Sequence, residues 1–203
     1  MRWVSLGPVS VPTSWAAMVL AFLITGAFLF ITKKKAALNW YENAIFIFIV
    51  TWKLSVIIFH PKMAIANPMT ILYFNGGVKG YGIGLAGALL YTTFSKKGAI
   101  IRYSELALSW ILAVSTYELV YGVFKEIGAL VVAIQLIINL ALLTLLIIKA
   151  PNRLWMLQII TLFTCVQGIF YTLKANLLSL PMATYLIFVI FFYFWSRNRG
   201  GQS

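Results

Sequence analysis

A few charged side chains lie inside long apolar segments of this sequence, and they are the residues best suited to chemistry. Glu118 precedes Lys125 by seven residues, so in a helix rising about 1.5 Å per residue it lies roughly 10 Å inside the end of its segment. Lys53 lies at a similar depth in another segment, and Lys79 and Lys174 stand at the ends of two more. Charges within a bilayer are costly and are usually paired or functional. The spacing therefore predicts one polar layer that contains Glu118, Lys53, Lys79 and Lys174.

Three kinds of chemistry fit such a layer. Glu118 could pair with one lysine and fix how the helices pack. The surplus positive charge of Lys53, Lys79 and Lys174 could instead bind the anionic headgroup of a phospholipid. In a third interpretation, Glu118 acts as a general acid or base. The sequence alone leaves the three open.

A glycine-rich stretch at residues 76–84 (GGVKGYGIG) surrounds Lys79. Three of its glycines recur every four residues, which is the spacing that lets two membrane helices approach closely. The other interpretation is an irregular helix entry, in which Gly76 and Gly77 beside Lys79 offer backbone N–H groups and a cation to a lipid headgroup. The candidate lipid-binding residues are thus Lys53, Gly76, Gly77, Lys79 and Lys174.

Other site chemistries are excluded by residues that the sequence lacks. It contains no Asp, one histidine (His60) and one cysteine (Cys165). A zinc site, a Ser-His-Asp triad, an internal disulfide and a CxxC redox pair are therefore not available. We predict no metal and no cofactor.

The elements that hold these residues are predicted to be membrane helices. Of the 203 residues, 62% are hydrophobic and only 10% are charged, and the mean hydropathy is +0.95. A soluble domain is nearer half apolar and about a quarter charged, and a helix needs about 20 apolar residues to cross a bilayer. We predict an all-α polytopic membrane protein, a single transmembrane domain over residues 1–203. Its seven spans are expected at about 14–32, 43–59, 79–95, 103–124, 127–148, 154–173 and 179–196.

The net charge of +12 indicates orientation and not nucleic-acid binding. The cations lie between the apolar segments. When successive loops are assigned to opposite sides of the membrane, ten cations fall on one side and four on the other. Cytoplasmic loops are rich in Lys and Arg, so we expect the N-terminus outside and the C-terminus in the cytoplasm. The ten are Lys33, Lys34, Lys35, Lys96, Lys97, Arg102, Lys149, Arg153, Arg197 and Arg199, and the four are Arg2, Lys62, Lys125 and Lys174.

Three short segments give the chain a resemblance to bacterial prolipoprotein diacylglyceryl transferase. They are residues 6–11 (LGPVSV), residues 66–72 (ANPMTIL) with Gly76, Gly77 and Gly82 after them, and residues 178–182 (LSLPM). Their order and spacing hold over nearly the whole chain. The resemblance implies a multi-pass protein of the bacterial cytoplasmic (inner) membrane. It also implies a family reaction that transfers the diacylglyceryl group of phosphatidylglycerol to the lipobox cysteine of a lipoprotein precursor, at the outer side.

The family's motifs for chemistry are altered in this sequence. The family's histidine falls on Tyr81, and the arginine of its second span falls on Lys53. Its later Arg-x-x-x-Glu-x-x-Arg pattern falls on Gln167 to Lys174, with Tyr171 in place of the Glu. Alkylation of a thiol by the glyceryl carbon needs a base for the thiol and a clamp for the departing phosphate. Tyrosine is a poor base near neutral pH, and lysine lacks the bidentate geometry of arginine. The resemblance therefore implies a retained scaffold and a lost reaction.

We expect a divergent, transferase-like membrane protein that binds an anionic phospholipid, phosphatidylglycerol foremost, in an outward-facing cavity. A lipoprotein precursor or another membrane protein would be a further partner. Two alternatives stay open. One is an active, phosphatidylglycerol-dependent transferase with a rewired site, in which Glu118 or Tyr81 is the catalytic residue. The other is a non-enzymatic membrane subunit or a small transporter.

Overall fold

The computed structural model describes residues 3–6, 9–66, 76–95, 101–149, 152–174 and 176–199. Within them the chain is mostly α-helical, as expected where backbone polar groups must bond within their own segment. The strands are β1 (Trp3–Leu6) and β2 (Val9–Pro12). The helices are α1 (Thr13–Ile31), α2 (Lys35–Phe59), α3 (Pro61–Ala66), α4 (Gly77–Phe94), α5 (Tyr103–Phe124), α6 (Ala129–Lys149), α7 (Arg153–Leu173) and α8 (Leu180–Arg199).

Six helices in the described part of the chain are long and apolar enough to cross a membrane, namely α1, α2 and α5 to α8. The all-α prediction is confirmed at this level. Helix α4 coincides with the predicted third span but is not among the six, because five glycines and Lys79 reduce its apolar content. Seven spans and their orientation therefore remain predictions.

The helix bounds follow the apolar segments closely, with one difference at α2. This helix begins at Lys35, eight residues before the predicted start at 43. Its first two turns carry polar residues such as Asn39 and Glu42, which interrupt the apolar pattern without interrupting the helix. Trp40 and Tyr41 in the same turns are buried.

The residues cluster into two compact units, which we describe separately. The first unit comprises Met1–Lys34 and Arg102–Ser203, and the second comprises Lys35–Ile101. In the first unit β1 and β2 pair as an antiparallel hairpin before α1, with Trp3 opposite Pro12. This hairpin is not predicted from the sequence. Helix α5 is the most buried helix of this unit and packs against α1, α6 and α7, while α8 packs against α7.

Aromatic side chains fill the core of the first unit. The ring of Trp110 on α5 lies against Phe163 on α7 and against Phe188 and Phe192 on α8, with ring centroids 5.5 to 5.9 Å apart. At the start of α5, the Tyr103 hydroxyl donates to a backbone carbonyl near the end of α8. The two helices therefore run in opposite directions, which brings the C-terminal part of α5 beside the beginning of α8.

The second unit is built on the pairing of α2 with α4. The indole N–H of Trp40 donates to the Thr92 hydroxyl across 3.2 Å. Gly80 and Gly84 of α4 face α2 closely: a Cβ at Gly84 would lie 2.9 Å from the carbonyl oxygen of Phe48, which is backbone and has little freedom to move. The small-residue spacing thus forms a helix contact, as one of the two sequence interpretations predicts.

Candidate functional site

Glu118 is the centre of the most polar buried cluster in the described part of the first unit. It lies six residues before the end of α5, and its side chain is only 1% exposed. Ser115 and Gly122, at i−3 and i+4, are buried on the same helix. The helical period places all three on one face, and that face is turned toward the neighbouring helices.

Four donors surround the Glu118 carboxylate. The hydroxyls of Tyr171 on α7 and Tyr185 on α8 each donate to Oε1 across 2.7 Å. The amide of Gln135 on α6 donates to Oε2 across 3.3 Å, and the Lys174 ammonium lies 3.6 Å from the same oxygen. An ionised carboxylate only accepts hydrogen bonds, and here both of its oxygens are engaged. The cluster thereby joins α5 to three other helices.

The hydrogen bonds continue from Glu118 toward the middle of the helices. The Gln135 amide also donates to Gln167 across 2.8 Å, and Gln167 in turn donates to Asn139 across 2.8 Å. Gln135 accepts from the Lys174 ammonium across 3.4 Å. Gln167 is fully buried and Asn139 is 1% exposed. Burial of an amide costs free energy unless the amide is hydrogen-bonded. In this network each of the three amide side chains has a hydrogen-bond partner.

The structure brings together two of the predicted site residues, Glu118 and Lys174. Their contact is the ion pair that one sequence interpretation proposed. Lys53 and Lys79 belong to the second unit, so their place in a common layer stays a prediction. In the sequence, Tyr171 and Gln167 are visible only as altered positions of the family's motif, and Tyr185 is not among the predicted site residues.

Two signals in the sequence point to part of this cluster. Gln135 and Asn139 stand four residues apart in the otherwise apolar α6, and Gln167 and Tyr171 do so in α7. Residues at that spacing share a helix face, and polar side chains within a membrane helix usually turn to the bundle interior. Tyr185 gives no comparable signal, because it begins an aromatic-rich segment that resembles a lipid-facing surface.

Lys79 and its glycines form the start of α4 in the second unit. Gly76 precedes the helix without a side-chain cap, and Gly77 has a φ of +61°, a conformation that favours glycine. The exposed Lys79 follows in the first turn, with its ammonium 5.9 Å from the centroid of the Phe59 ring. The arrangement puts a cation beside the N-terminus of a helix.

The two remaining candidates also lie in the second unit. Lys53 is half-buried on α2. The Tyr81 ring packs edge-on against Phe48 and Trp52, with ring centroids 5.3 and 6.0 Å apart. These contacts give Tyr81 a packing role, and its catalytic role stays a prediction.

Among the described residues, no three His, Cys, Asp or Glu side chains lie together in a way that could hold a metal ion. Residues 7–8 and 67–75, which carry part of the resemblance noted above, lie outside the described residues. Comparison of the chain with protein-family models, curated proteins and solved structures gives no match.

Proposed function

We propose that this protein is a multi-pass protein of the bacterial cytoplasmic membrane with the scaffold of prolipoprotein diacylglyceryl transferase. It binds an anionic phospholipid such as phosphatidylglycerol at the outer side, and it does not carry out the family's reaction. The proposed topology has seven spans, with α4 as the third, the N-terminus outside and the C-terminus in the cytoplasm. The environment of Glu118 carries the proposed loss of the reaction, and the exposed Lys79 at the start of α4 carries the proposed lipid contact.

Glu118 is poorly arranged for a catalytic base. A general base has to come within hydrogen-bond reach of the proton that it removes. The Glu118 side chain is 1% exposed, and tyrosine, glutamine and lysine donors already engage both of its oxygens. A substrate thiol would have to displace one of these donors. The geometry supports a carboxylate that holds helices together.

The distribution of charge in the first unit supports the proposed orientation. Arg102, Lys149, Arg153 and Arg197 lie at the ends of α5 to α8 that are remote from Glu118. Lys125 and Lys174 lie at the other ends, where Glu118 and Glu126 also lie. Cytoplasmic loops carry the excess of Lys and Arg. The charge distribution therefore supports a cytoplasmic position for the cation-rich end and an outer position for Glu118.

Lys79 is the proposed contact for the lipid phosphate. Its side chain is exposed at the start of α4, and the N-terminus of a helix carries partial positive charge. A phosphate group is well suited to such a position. A Cβ at Gly77 would meet nothing within 4 Å, so a headgroup has room to approach the backbone there, whereas the space at Gly76 is filled by Ser55 of α2. Lys53 of α2 is proposed as a second cation of the same unit.

Native mass spectrometry of the purified full-length chain tests this proposal. We expect phosphatidylglycerol to be retained in preference to phosphatidylcholine with the same acyl chains. Lys79→Ala should weaken that retention about fivefold, the effect of one basic residue near a lipid surface. Lys149→Ala is the matched control, because that lysine also lies over an aromatic ring, 5.4 Å from the centroid of Trp155. Equal retention of both lipids, or equal loss in both variants, would overturn the proposal.

A further inference from the structure

An open groove runs between α7 and α8 in the first unit, on the part of these helices remote from Glu118. It has a volume of about 220 Å³, which suits part of an acyl chain and not a whole lipid. Its lining residues are Leu157, Ile160, Thr161, Val189, Ile190, Tyr193 and Phe194.

The wall of this groove is almost entirely apolar. The one hydroxyl on the α7 side, that of Thr161, donates to the Leu157 carbonyl of its own helix across 2.9 Å. On the α8 side Ile190 and Phe194 are 56% and 57% exposed. Both helices are long and apolar enough to cross a membrane. A surface of this kind at membrane depth matches a hydrocarbon chain.

Two arginines lie one helical turn beyond the lining residues, at the same end of the groove. Arg153 precedes Leu157 by four residues, and Arg197 follows Tyr193 by four. The Arg153 guanidinium donates to the Ser196 hydroxyl across 3.2 Å, which fixes it between the two helices. Ser196 is 1% exposed and donates to the Tyr193 carbonyl across 2.9 Å. The exposed Arg197 adds a second cation at this level.

We infer that this groove is a binding site for an anionic phospholipid, with an acyl chain along the groove and the phosphate at Arg153 and Arg197. Guanidinium groups bind phosphate oxygens in a bidentate way, and basic pockets between membrane helices on the cytoplasmic side bind anionic headgroups. The charge at one end and the apolar wall beyond it match the two parts of one lipid. An apolar helix of a partner protein would also fit the wall of the groove, but it would offer no anionic group to the two arginines.

This site is built from other residues than the one proposed at Lys79, since its residues belong to the first unit and Lys79 belongs to the second. By the proposed orientation it takes its lipid from the inner leaflet. The inference does not depend on that orientation, since the arginines and the groove are neighbours on the same two helices.

The chain supplies its own reporter for a test. Cys165 is the single cysteine, it is exposed, and it follows Thr161 on α7 by four residues, on the same helix face. A fluorophore attached to its thiol in the full-length chain would report bromine atoms on an acyl chain in the groove. The probes are phosphatidylcholine vesicles that contain a small fraction of either phosphatidylglycerol or phosphatidylcholine with brominated chains.

We expect brominated phosphatidylglycerol to quench the label at lower mole fraction than brominated phosphatidylcholine. Arg197→Ala should reduce this preference about fivefold, and removal of Arg153 as well should abolish it, since each basic residue near a lipid surface contributes about that factor. Lys149→Ala removes a cation that lies over Trp155 and outside the groove, and it should leave the preference unchanged.

Three outcomes would overturn the inference. They are equal quenching by the two brominated lipids, no quenching by either, and an equal reduction in the Lys149 and Arg197 variants. If the double arginine variant fails to fold, Thr161→Trp serves in its place. This substitution fills the groove and leaves both arginines in position, so it should reduce quenching by both lipids, and unchanged quenching would likewise overturn the inference.

Discussion

The two units of this protein hold their helices together in different ways. In the first unit, polar side chains from four helices meet at Glu118 and bond to one another. In the second unit, glycines of α4 bring its backbone close to that of α2, with Gly84 against the Phe48 carbonyl. Both are established ways to associate helices in lipid, where apolar contact alone gives little preference for protein over lipid tails.

The comparison shows which polar residues are available for function. The side chains around Glu118 are hydrogen-bonded to one another inside the bundle. A ligand could bind to them only by breaking these bonds. Lys79 in the second unit and Arg197 in the first are exposed at helix ends. The proposed lipid contacts are therefore the cations at the helix ends and not the buried carboxylate.

The largest expected effect in this comparison comes from removal of the Glu118 carboxylate. Glu118→Ala leaves the Tyr171 and Tyr185 hydroxyls without the acceptor that they share, and it removes the ion-pair partner of Lys174. The Gln135 amide keeps its bond to Gln167. Loss of one partner of a buried ion pair costs about 3–5 kcal/mol, and we expect a free energy of unfolding lower by that amount. Chemical unfolding of the purified protein in detergent, followed by circular dichroism, measures it.

Glu105→Ala is the matched control for that experiment. Glu105 lies in the first turn of the same helix and is partly exposed, where a carboxylate stabilises the helix by about 0.3–1 kcal/mol through the helix dipole. If both alanine variants lose the same small amount, Glu118 is not the centre of a structural cluster and the comparison between the units fails.

A smaller effect is expected where the second unit relies on glycine. Gly84→Ala places a Cβ 2.9 Å from the Phe48 carbonyl oxygen, so α2 and α4 must separate, at a cost of about 1–3 kcal/mol. Gly82→Ala is the control two residues away, since a Cβ there meets nothing within 4 Å. The control should gain up to about 1 kcal/mol from helix propensity. Hydrogen exchange of the α2 and α4 backbone measures the effect in both variants. Exchange that is faster in the Gly82 variant than in the unaltered protein would contradict this account.

The helices of the fold could be predicted from the sequence because each apolar segment has the length of a membrane helix. Helix α5 begins and ends at the predicted residues, whereas the early start of α2 at Lys35 could not be read from apolar residues. The strands β1 and β2 and the short α3 carry no periodic pattern that is long enough to recognise.

The candidate site could be predicted only in part. The sequence places Glu118 in one polar layer with three lysines, and of these Lys53 is the one at similar depth. The lysine that pairs with Glu118 in the first unit is Lys174, at the end of its helix. Tyr185 could not be found, because its hydroxyl reaches Glu118 only through the packing of α8 on α5. These two helices are far apart in the sequence. The choice among three lysines for one carboxylate likewise depends on how the helices pack, which the sequence does not state.

The most direct test of the central claim, lipid binding without transfer, is one mass measurement on one mixture. The purified full-length protein is incubated with phosphatidylglycerol and a lipobox peptide that carries a free cysteine thiol. We predict that the protein retains phosphatidylglycerol and that the mass of the peptide does not change. A peptide that gains a diacylglyceryl group with release of glycerol phosphate, and that fails to do so with Glu118→Gln, would contradict the account.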